Sequence, residues 1–139
     1  MLHELLESGF GLQEDYNCAE RIVYGANEAY HLGLDKNALR LAAGFGGGMG
    51  FGDACGVLTG AIMVLGRLAV VQRAHESDTI KVLSKRLHDR FMERFQLLDC
   101  GDLKGKYAVP GKGCWELLLA AGEILDDIVE EEGLLPAQV

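Results

Sequence analysis

The chain has 139 residues, 49% of them hydrophobic and 24% charged, which is typical of a single soluble domain spanning residues 1–139. Its 13 Lys and Arg against 21 Asp and Glu give a net charge of −8, which has the wrong sign for a surface that neutralises nucleic-acid phosphates. Four cysteines are too few for a disulfide scaffold, whereas 19 glycines are about twice the ordinary share of this residue.

Neither the N-terminal segment nor the most apolar segment has the pattern of a targeting signal or a membrane span. Residues 1–8 contain acidic side chains where a signal peptide has a positively charged region. Residues 54–71 are interrupted by Arg67 and three glycines, so they predict a buried helix rather than a membrane-spanning one. We therefore expect a cytoplasmic protein with reduced thiols, no membrane insertion and no nucleic-acid partner.

Helical periodicity dominates the first third of the chain, and no repeat or linker divides it. The pattern predicts a short helix over residues 2–8. A second helix is expected to begin after Asn17, because Asn17 and Glu20 have the spacing of a capping box, and to end at Gly33. A third, short helix is predicted over about 35–43.

Six glycines fall within the ten residues 44–53, which predicts a loop that is neither helix nor strand. Asp53 is expected to cap a long apolar helix over about 54–74, and Met49 and Phe51 to fold back as apolar anchors. The loop matches neither the dinucleotide-binding nor the P-loop motif. Its glycines would let the backbone approach a partner helix or a ligand, and the candidate ligand-binding residues are Gly46, Gly47, Gly48, Gly50 and Gly56.

The last third of the chain predicts two long helices separated by a loop. Ser77 or Asp78 is expected to cap an amphipathic helix that runs to Leu98, residues 100–113 are predicted to be a loop, and a last helix runs over about 114–131. The acidic residues near the end of this last helix are expected to form a solvated face; they are Asp126, Asp127 and Glu130 to Glu132. Because negative charge is unfavourable at a helix C-terminus, we expect this end either to fray or to lie beside a basic neighbour. Residues 134–139 are expected to fray.

These elements predict an all-α fold, a compact bundle of five to six helices around the central apolar helix at about 54–74. Because this helix is apolar on nearly every side, either the single domain or a homodimer must cover it.

Three of the four cysteines lie at predicted helix N-termini, namely Cys18, Cys55 and Cys114. A helix N-terminus presents unpaired N–H groups and about half a positive charge, which stabilise a thiolate. In such settings the pKa of a thiol falls from about 8.5 into the range of ~3.5–7.5. Structural cysteines have no reason to prefer these positions, so the placement predicts a functional thiol centre.

The spacing of the cysteines limits the kind of centre. Positions 18, 55, 100 and 114 contain no Cys-x-x-Cys, which argues against a thioredoxin-type dithiol, a zinc ribbon, a ferredoxin-type cluster and covalent haem attachment. Any pairing must be tertiary, and three connectivities remain open. The four histidines show no metal-pair spacing and are expected on the surface.

The order of these motifs resembles that of the C-GCAxxG-C-C family, small prokaryotic proteins described as redox-active. The resemblance covers about residues 15–120 and rests on Asn17-Cys18, the glycine loop at 45–50, the segment Cys55-Gly-Val-Leu-Thr-Gly60, Cys100 and Cys114. It implies that the four cysteines are the signature cysteines and that Gly56 and Gly60 are the motif glycines. The chain departs from the motif at Val57, where the family has Ala.

Three functions follow from these observations. The first is thiol–disulfide chemistry without a cofactor, with Cys55 as the attacking thiolate, Cys18 or Cys114 as the resolving thiol, and a redox partner or small molecule as substrate. The second is a binding module in which Cys18, Cys55, Cys100 and Cys114 ligate zinc, an iron–sulfur cluster or a haem-type cofactor. The third is a non-catalytic helical accessory protein with incidental cysteines, whose acidic surface would suit a basic partner.

Overall fold

Seven α-helices make up most of residues 1–135, the part of the chain that the computed structural model describes. Their bounds are α1 Leu2–Glu7, α2 Cys18–Ala29, α3 Lys36–Leu39, α4 Gly56–Ala69, α5 Thr79–Phe95, α6 Cys100–Tyr107 and α7 Trp115–Glu131. Over these residues there is no strand, only two isolated β-bridges. The predicted all-α fold is confirmed, with more helices than expected. The fraying expected at 134–139 concerns mainly residues 136–139, which lie outside the described residues.

Helix α2 begins where its capping box predicts. The side chain of Asn17 accepts a hydrogen bond from the backbone N–H of Glu20 at 2.9 Å, and the carboxylate of Glu20 accepts one from the backbone N–H of Asn17 at 2.9 Å. Two of the unpaired N–H groups at the helix start are thereby satisfied. This cap holds Cys18 as the first residue of the helix.

Helix α4 is the centre of the bundle and packs against α2, α5 and α7. Gly60 allows α4 to approach α2 closely, because a β-carbon at this position would lie 3.0 Å from the carbonyl oxygen of Ala19 in α2. Neighbouring helices cover most of α4, and Ile62 is its largest exposed apolar side chain, at 39%. No helix among residues 1–135 is long and apolar enough to cross a membrane.

The expected bounds of this central helix, 54–74, are wrong at both ends. Its N-cap is Cys55 rather than Asp53, whose carboxylate accepts a hydrogen bond from the N–H of Ala54 instead. At the other end the helix stops at Ala69, because the following residues form a turn around Glu76. The carboxylate of Glu76 accepts hydrogen bonds from three consecutive backbone N–H groups, those of Val71, Gln72 and Arg73.

The long helices α5 and α7 follow the predicted apolar pattern, but α5 ends at Phe95 rather than at Leu98, because Gln96 takes the left-handed conformation. Asp78 is the N-cap of α5, whose apolar stripe is buried at Leu83, Leu87, Phe91 and Phe95. The basic neighbour expected beside the acidic end of α7 is also present. Arg86 lies 2.6 Å from the carboxylate of Glu132, and Arg90 lies 2.8 Å from that of Glu131.

Two expectations for the last third of the chain are wrong. Residues 100–107 form helix α6 rather than a loop, because Leu103 is fully buried and the ring of Tyr107 packs edge-on against Phe95 at 5.1 Å. Asp126 does not belong to a solvated face. Its carboxylate accepts hydrogen bonds from the backbone N–H groups of Leu2 and His3 at the start of α1, at 3.0 and 2.9 Å. It also accepts one from the buried hydroxyl of Tyr30, at 2.6 Å.

Candidate functional site

All four cysteines lie at the starts of helices. Cys18 and Cys100 are the first residues of α2 and α6, and Cys55 and Cys114 are the N-caps of α4 and α7. The sequence predicted this placement for three of them and missed it for Cys100, whose segment looked like a loop. Four helix N-termini therefore each supply one thiol.

The fold brings these four thiols within electrostatic range of one another. Charge on Cys18, Cys100 or Cys114 raises the pKa of Cys55, and charge on Cys18 or Cys100 raises that of Cys114. All four are free thiols, with no disulfide between them. The four thiols therefore lie in one region of the fold, and no pair of them is bonded.

Gly56 brings the side chain of Cys18 close to the backbone that follows Cys55. A β-carbon at Gly56 would overlap the sulfur of Cys18 and would lie 3.1 Å from the carbonyl oxygen of Phe45. The sulfur of Cys18 therefore lies against the first turn of α4, directly beside the residue that follows Cys55. A side chain larger than hydrogen at position 56 would displace the side chain of Cys18 and crowd the backbone of Phe45.

Cys55 and Cys100 are linked through a backbone bridge. Ala54 and Asp99 form an antiparallel β-bridge. The N–H of Cys55 donates to the carbonyl oxygen of Leu98 at 2.8 Å, and the N–H of Cys100 donates to that of Asp53 at 2.6 Å. These two hydrogen bonds fix the start of α6 against the start of α4.

The glycine-rich loop covers this end of the bundle. Gly47, Gly48, Met49 and Gly50 are four consecutive residues in the left-handed conformation, with φ of 65°, 63°, 61° and 78°. Glycine adopts this conformation without the cost of about 1–2 kcal/mol that other residues incur. The turn leaves the side chain of Phe51 86% exposed, so the expectation that Phe51 folds back as an anchor is wrong, whereas Met49 is half-buried.

Three of the five candidate glycines lie close to a cysteine or to Asn17, the residue that caps α2. A β-carbon at Gly48 would lie 2.7 Å from the β-carbon of Cys100, and one at Gly46 would overlap the side chain of Asn17. Gly56 contacts Cys18 as described above. Gly47 and Gly50 face open space. Gly46, Gly48 and Gly56 therefore each allow a close contact between their own backbone and a residue at the start of another helix.

Burial raises the pKa of three of the thiols, which opposes the lowering expected from the helix N-termini. Cys55 is only 3% exposed, and this burial raises its pKa to about 12, although a hydrogen bond from the backbone N–H of Val57 offsets part of the rise. Burial also raises the pKa of Cys100 and of Cys114, and Lys104 lowers both in part. The expectation that the pKa of Cys55 is lowered is wrong, because the loss of hydration of a buried thiolate exceeds the stabilisation that the helix start supplies.

The thiols differ in access. Cys55 and Cys100 are buried, at 3% and 5% exposure, whereas Cys18 and Cys114 are partly exposed. Cys18 and Cys114 are therefore the more accessible of the four cysteine residues.

Arg21 is a residue of this site that the sequence reasoning missed. It lies one turn after Cys18 in α2 and is 8% exposed. Its Nε donates to the carbonyl oxygen of Phe10 at 3.0 Å, and its guanidinium lies 5.7 Å from the ring centre of Trp115. The i, i+3 spacing from Cys18 was the available signal.

A metal centre is not preformed in the described part of the chain. Among residues 1–135, no group of three or more His, Cys, Asp or Glu side chains is arranged to hold a metal ion. The four thiols, as they are placed, do not fit the closed tetrahedral site that zinc requires.

One family matches most of the chain. A sequence model of the family described as "Putative redox-active protein (C_GCAxxG_C_C)" matches residues 16–128, a segment that contains all four cysteines and the glycine-rich loop. Searches among curated proteins and among solved structures gave no significant match.

Proposed function

The chain belongs to the C_GCAxxG_C_C family, and from this membership and the arrangement of its thiols we propose that it performs thiol–disulfide exchange. The observation that carries the proposal is the gathering of four free thiols, each from a different helix start, under a glycine-rich loop. Such a cluster needs no cofactor to exchange two electrons with a disulfide.

Cys18 is the attacking thiol in this proposal, and Cys55 is the resolving thiol. Cys18 is partly exposed and borders Gly56, whereas Cys55 is buried with a pKa of about 12. A thiol that stays protonated and out of contact with solvent is a poor first nucleophile. The roles expected from the sequence are therefore exchanged.

The exchange balances without a further reactant. The thiolate of Cys18 attacks one sulfur of a substrate disulfide, forms a mixed disulfide and releases the first substrate thiolate, which takes up a proton. The thiol of Cys55 then loses its proton and attacks the sulfur of Cys18, and the second substrate thiol leaves. The substrate disulfide is reduced to two thiols, and Cys18 and Cys55 are oxidised to one disulfide.

Cys114 and Cys100 provide a second combination of one accessible and one buried thiol. Charge on Cys100 raises the pKa of Cys114, so the two lie within electrostatic range and can take part in further exchange. In this proposal Gly46, Gly48 and Gly56 let the backbone close over the thiols rather than bind a cofactor. The substrate is a disulfide in a partner protein or small molecule of the cytoplasm.

The test is a count of free thiols against an applied redox couple. Fully reduced protein, equilibrated anaerobically with mixtures of reduced and oxidised glutathione, is expected to lose two of its four thiols reversibly to a disulfide within the chain. Peptide mapping should then place the disulfide between Cys18 and Cys55. In C18S this disulfide is absent, whereas C114S serves as the matched control because it removes the other partly exposed thiol and should keep the disulfide. Four thiols that stay free at every ratio would contradict the proposal.

A further inference from the structure

The side chain of Phe51 projects from the glycine-rich loop at the end of the bundle where the cysteines lie. It is 86% exposed, although phenylalanine is among the residues most often buried. Its neighbours Gly50 and Gly52 have left-handed φ of 78° and 75° and carry no side chain that could cover the ring. Phe51 therefore presents nearly its whole ring to solvent.

The loop is built to hold this ring outside the core. The backbone N–H of Asp53 donates to the carbonyl oxygen of Gly48 at 3.1 Å, which closes the turn around Phe51. Within the same turn Met49 has a φ of 61°, a conformation that is unfavourable for a residue with a side chain. Such conformations persist only where the surrounding structure fixes them, and they cluster at functional sites.

The exposed ring lies close to the candidate site. A β-carbon at Gly52 would lie 3.8 Å from the backbone nitrogen of Gly101, so the residue after Phe51 lies beside the residue after Cys100. Phe51 also lies four positions before Cys55 in the chain. A molecule that packs against the ring is therefore held at the end of the bundle that carries the thiols.

Three exposed carboxylates lie around Phe51. They are Asp53, Asp99 and Asp102. Asp99 is brought beside the loop by its β-bridge to Ala54, and Asp102 by the first turn of α6, whose backbone approaches Gly52. None of the three forms an ion pair with another residue in the range 1–135. We call the ring of Phe51 together with these three carboxylates the docking surface.

The shape and charge of the docking surface fit a basic polypeptide. Small molecules bind in concave sites, whereas a projecting ring packs between the side chains of a larger partner. Buried aromatic side chains supply much of the binding energy at protein interfaces. Carboxylates around the ring attract lysine and arginine on the partner and repel acidic chains. The lysines of α6, Lys104 and Lys106, lie in its last turn rather than in the first turn, which meets the loop.

A second copy of the chain does not fit the same surface. In a symmetric dimer one patch meets an identical patch, so the three carboxylates would face three others. Like charges brought together in an interface disfavour binding. The net charge of −8 on each chain adds to this repulsion.

We propose that the docking surface binds a basic polypeptide that carries the substrate disulfide. This inference rests on the proposed thiol–disulfide function and narrows its substrate to a disulfide flanked by lysine or arginine and by apolar side chains that pack on Phe51. Docking raises the effective concentration of that disulfide at the partly exposed residues Cys18 and Cys114.

The test compares three disulfide probes that release a thiopyridone chromophore when a thiol of the reduced protein attacks them. Two are peptides of equal length with one cysteine as its pyridyl disulfide among leucines, flanked in one by lysines and in the other by glutamates. The third is dithiodipyridine, which is small and uncharged. The attacking sulfur bonds to one sulfur of the probe, and the other leaves with the electron pair as thiopyridone.

The charge of the docking surface predicts which peptide reacts faster. At low ionic strength we expect the lysine peptide to react about tenfold faster than the glutamate peptide. At high ionic strength the difference should fall below about threefold, because salt screens exposed charges. The triple variant D53N/D99N/D102N should bring the two rates together. The triple variant E28Q/D127N/E130Q is its matched control, since it removes three exposed carboxylates near the C-terminal ends of α2 and α7, and it should keep the difference.

The ring of Phe51 is tested by F51S. This variant should lower the ratio of the lysine-peptide rate to the dithiodipyridine rate about fivefold, because it loses the apolar contact. V71S is the matched control. Val71 is 87% exposed, but it follows the far end of α4, about 20 Å from Cys55, so its ratio should stay within about twofold of wild type.

Three outcomes would overturn the inference. The first is equal rates of the two peptides with wild type at low ionic strength. The second is a ratio in F51S that equals that of wild type or of V71S. The third is a wild-type dimer in sedimentation that F51S converts to a monomer, because the ring would then be covered by a second copy.

The probes test docking separately from disulfide formation within the chain. The first attack releases the chromophore whether or not a second thiol then displaces the peptide. Conversely, the thiol count tests the disulfide even if Phe51 contributes nothing to binding.

Discussion

The sulfur of Cys18 lies so close to the backbone of Gly56 that there is no room for a β-carbon between them. In a G56A variant the side chain of Cys18 must rotate away, and the added methyl group would still be 3.1 and 3.2 Å from backbone atoms of Phe45 and Ala19. We expect a loss of about 1–3 kcal/mol in the free energy of unfolding, as for overpacking elsewhere. Chemical denaturation measures this loss, and iodoacetamide labelling should show a changed reactivity of Cys18.

The matched control for this substitution lies ten residues further along the same helix. A β-carbon at Gly66 would meet no atom within 4 Å, and the residue is in α4. G66A should therefore stabilise the protein by about 0.5–1 kcal/mol, because alanine is the better helix former. If both substitutions had the same effect, close packing at Gly56 would not be the cause.

A second pair of glycines tests the left-handed turn above Cys100. A β-carbon at Gly48 would overlap the backbone of Asp53, which cannot move freely, and would crowd Cys100. G48A should cost about 3 kcal/mol or more, from left-handed strain and overpacking together. G50A has a similar φ of 78° but open space, so it should cost only about 1–2 kcal/mol. Urea unfolding of the two variants gives the comparison, and a G50A loss as large as that of G48A would contradict this explanation.

The buried thiol of Cys55 predicts a loss of stability at high pH. Its pKa is raised from 9.0 to about 12 in the folded protein, so the folded state keeps a proton that the unfolded chain releases. The stabilisation from this group is complete below pH 9 and is lost as the pH rises towards 12. In this window it contributes a slope of up to about 1.4 kcal/mol per pH unit.

Comparison with C55A isolates this contribution, because all other titrating groups are shared. We expect the free energy of unfolding of wild type to fall more steeply than that of C55A between pH 9 and pH 11. Parallel profiles for the two proteins would show that Cys55 is not protected from ionisation.

The carboxylate of Asp126 accepts hydrogen bonds from three donors, two in α1 and one in Tyr30, the residue that follows α2. D126A removes the acceptor for the N–H groups of Leu2 and His3 and for the hydroxyl of Tyr30. At about 1 kcal/mol for each hydrogen bond, we expect a loss of about 3 kcal/mol. The neighbouring D127A removes an exposed carboxylate and should change stability by no more than about 0.5 kcal/mol. Thermal and chemical unfolding of the two variants test whether Asp126 is distinguished by its contacts rather than its charge.

The fold was predictable wherever its signals were local. The capping box of Asn17 and Glu20 places the start of α2 because both partners lie within one turn. The apolar stripe of α5 is likewise read directly from its spacing. Helix α6 was missed because its glycines and lysines resemble a loop, and what holds it is the burial of Leu103 among residues far away in the sequence.

The site was predictable in its members but not in their environments. The four cysteines and their helix starts follow from the sequence, apart from Cys100. The burial of Cys55 does not, because Cys55 lies in a core formed by residues from distant parts of the chain. Arg21 was not predicted as a site residue, because what distinguishes it is a buried guanidinium nitrogen without a hydrogen-bond partner among residues 1–135. That property follows only from the packing of Phe10, Gly11 and Trp115 around the side chain.

Each cysteine lies at the start of a different helix, so any disulfide among them would tie the starts of two helices together. A bond between Cys18 and Cys55 would close a loop across 37 positions of the chain and would disfavour the unfolded state by about 4 kcal/mol in the chain-entropy model. A thermodynamic cycle requires that folding favour formation of the bond by the same free energy. The fold thus sets the effective concentration of one thiol at the other. A substitution that loosens the contact between α2 and α4 would then make the disulfide easier to reduce, even at a distance from either sulfur.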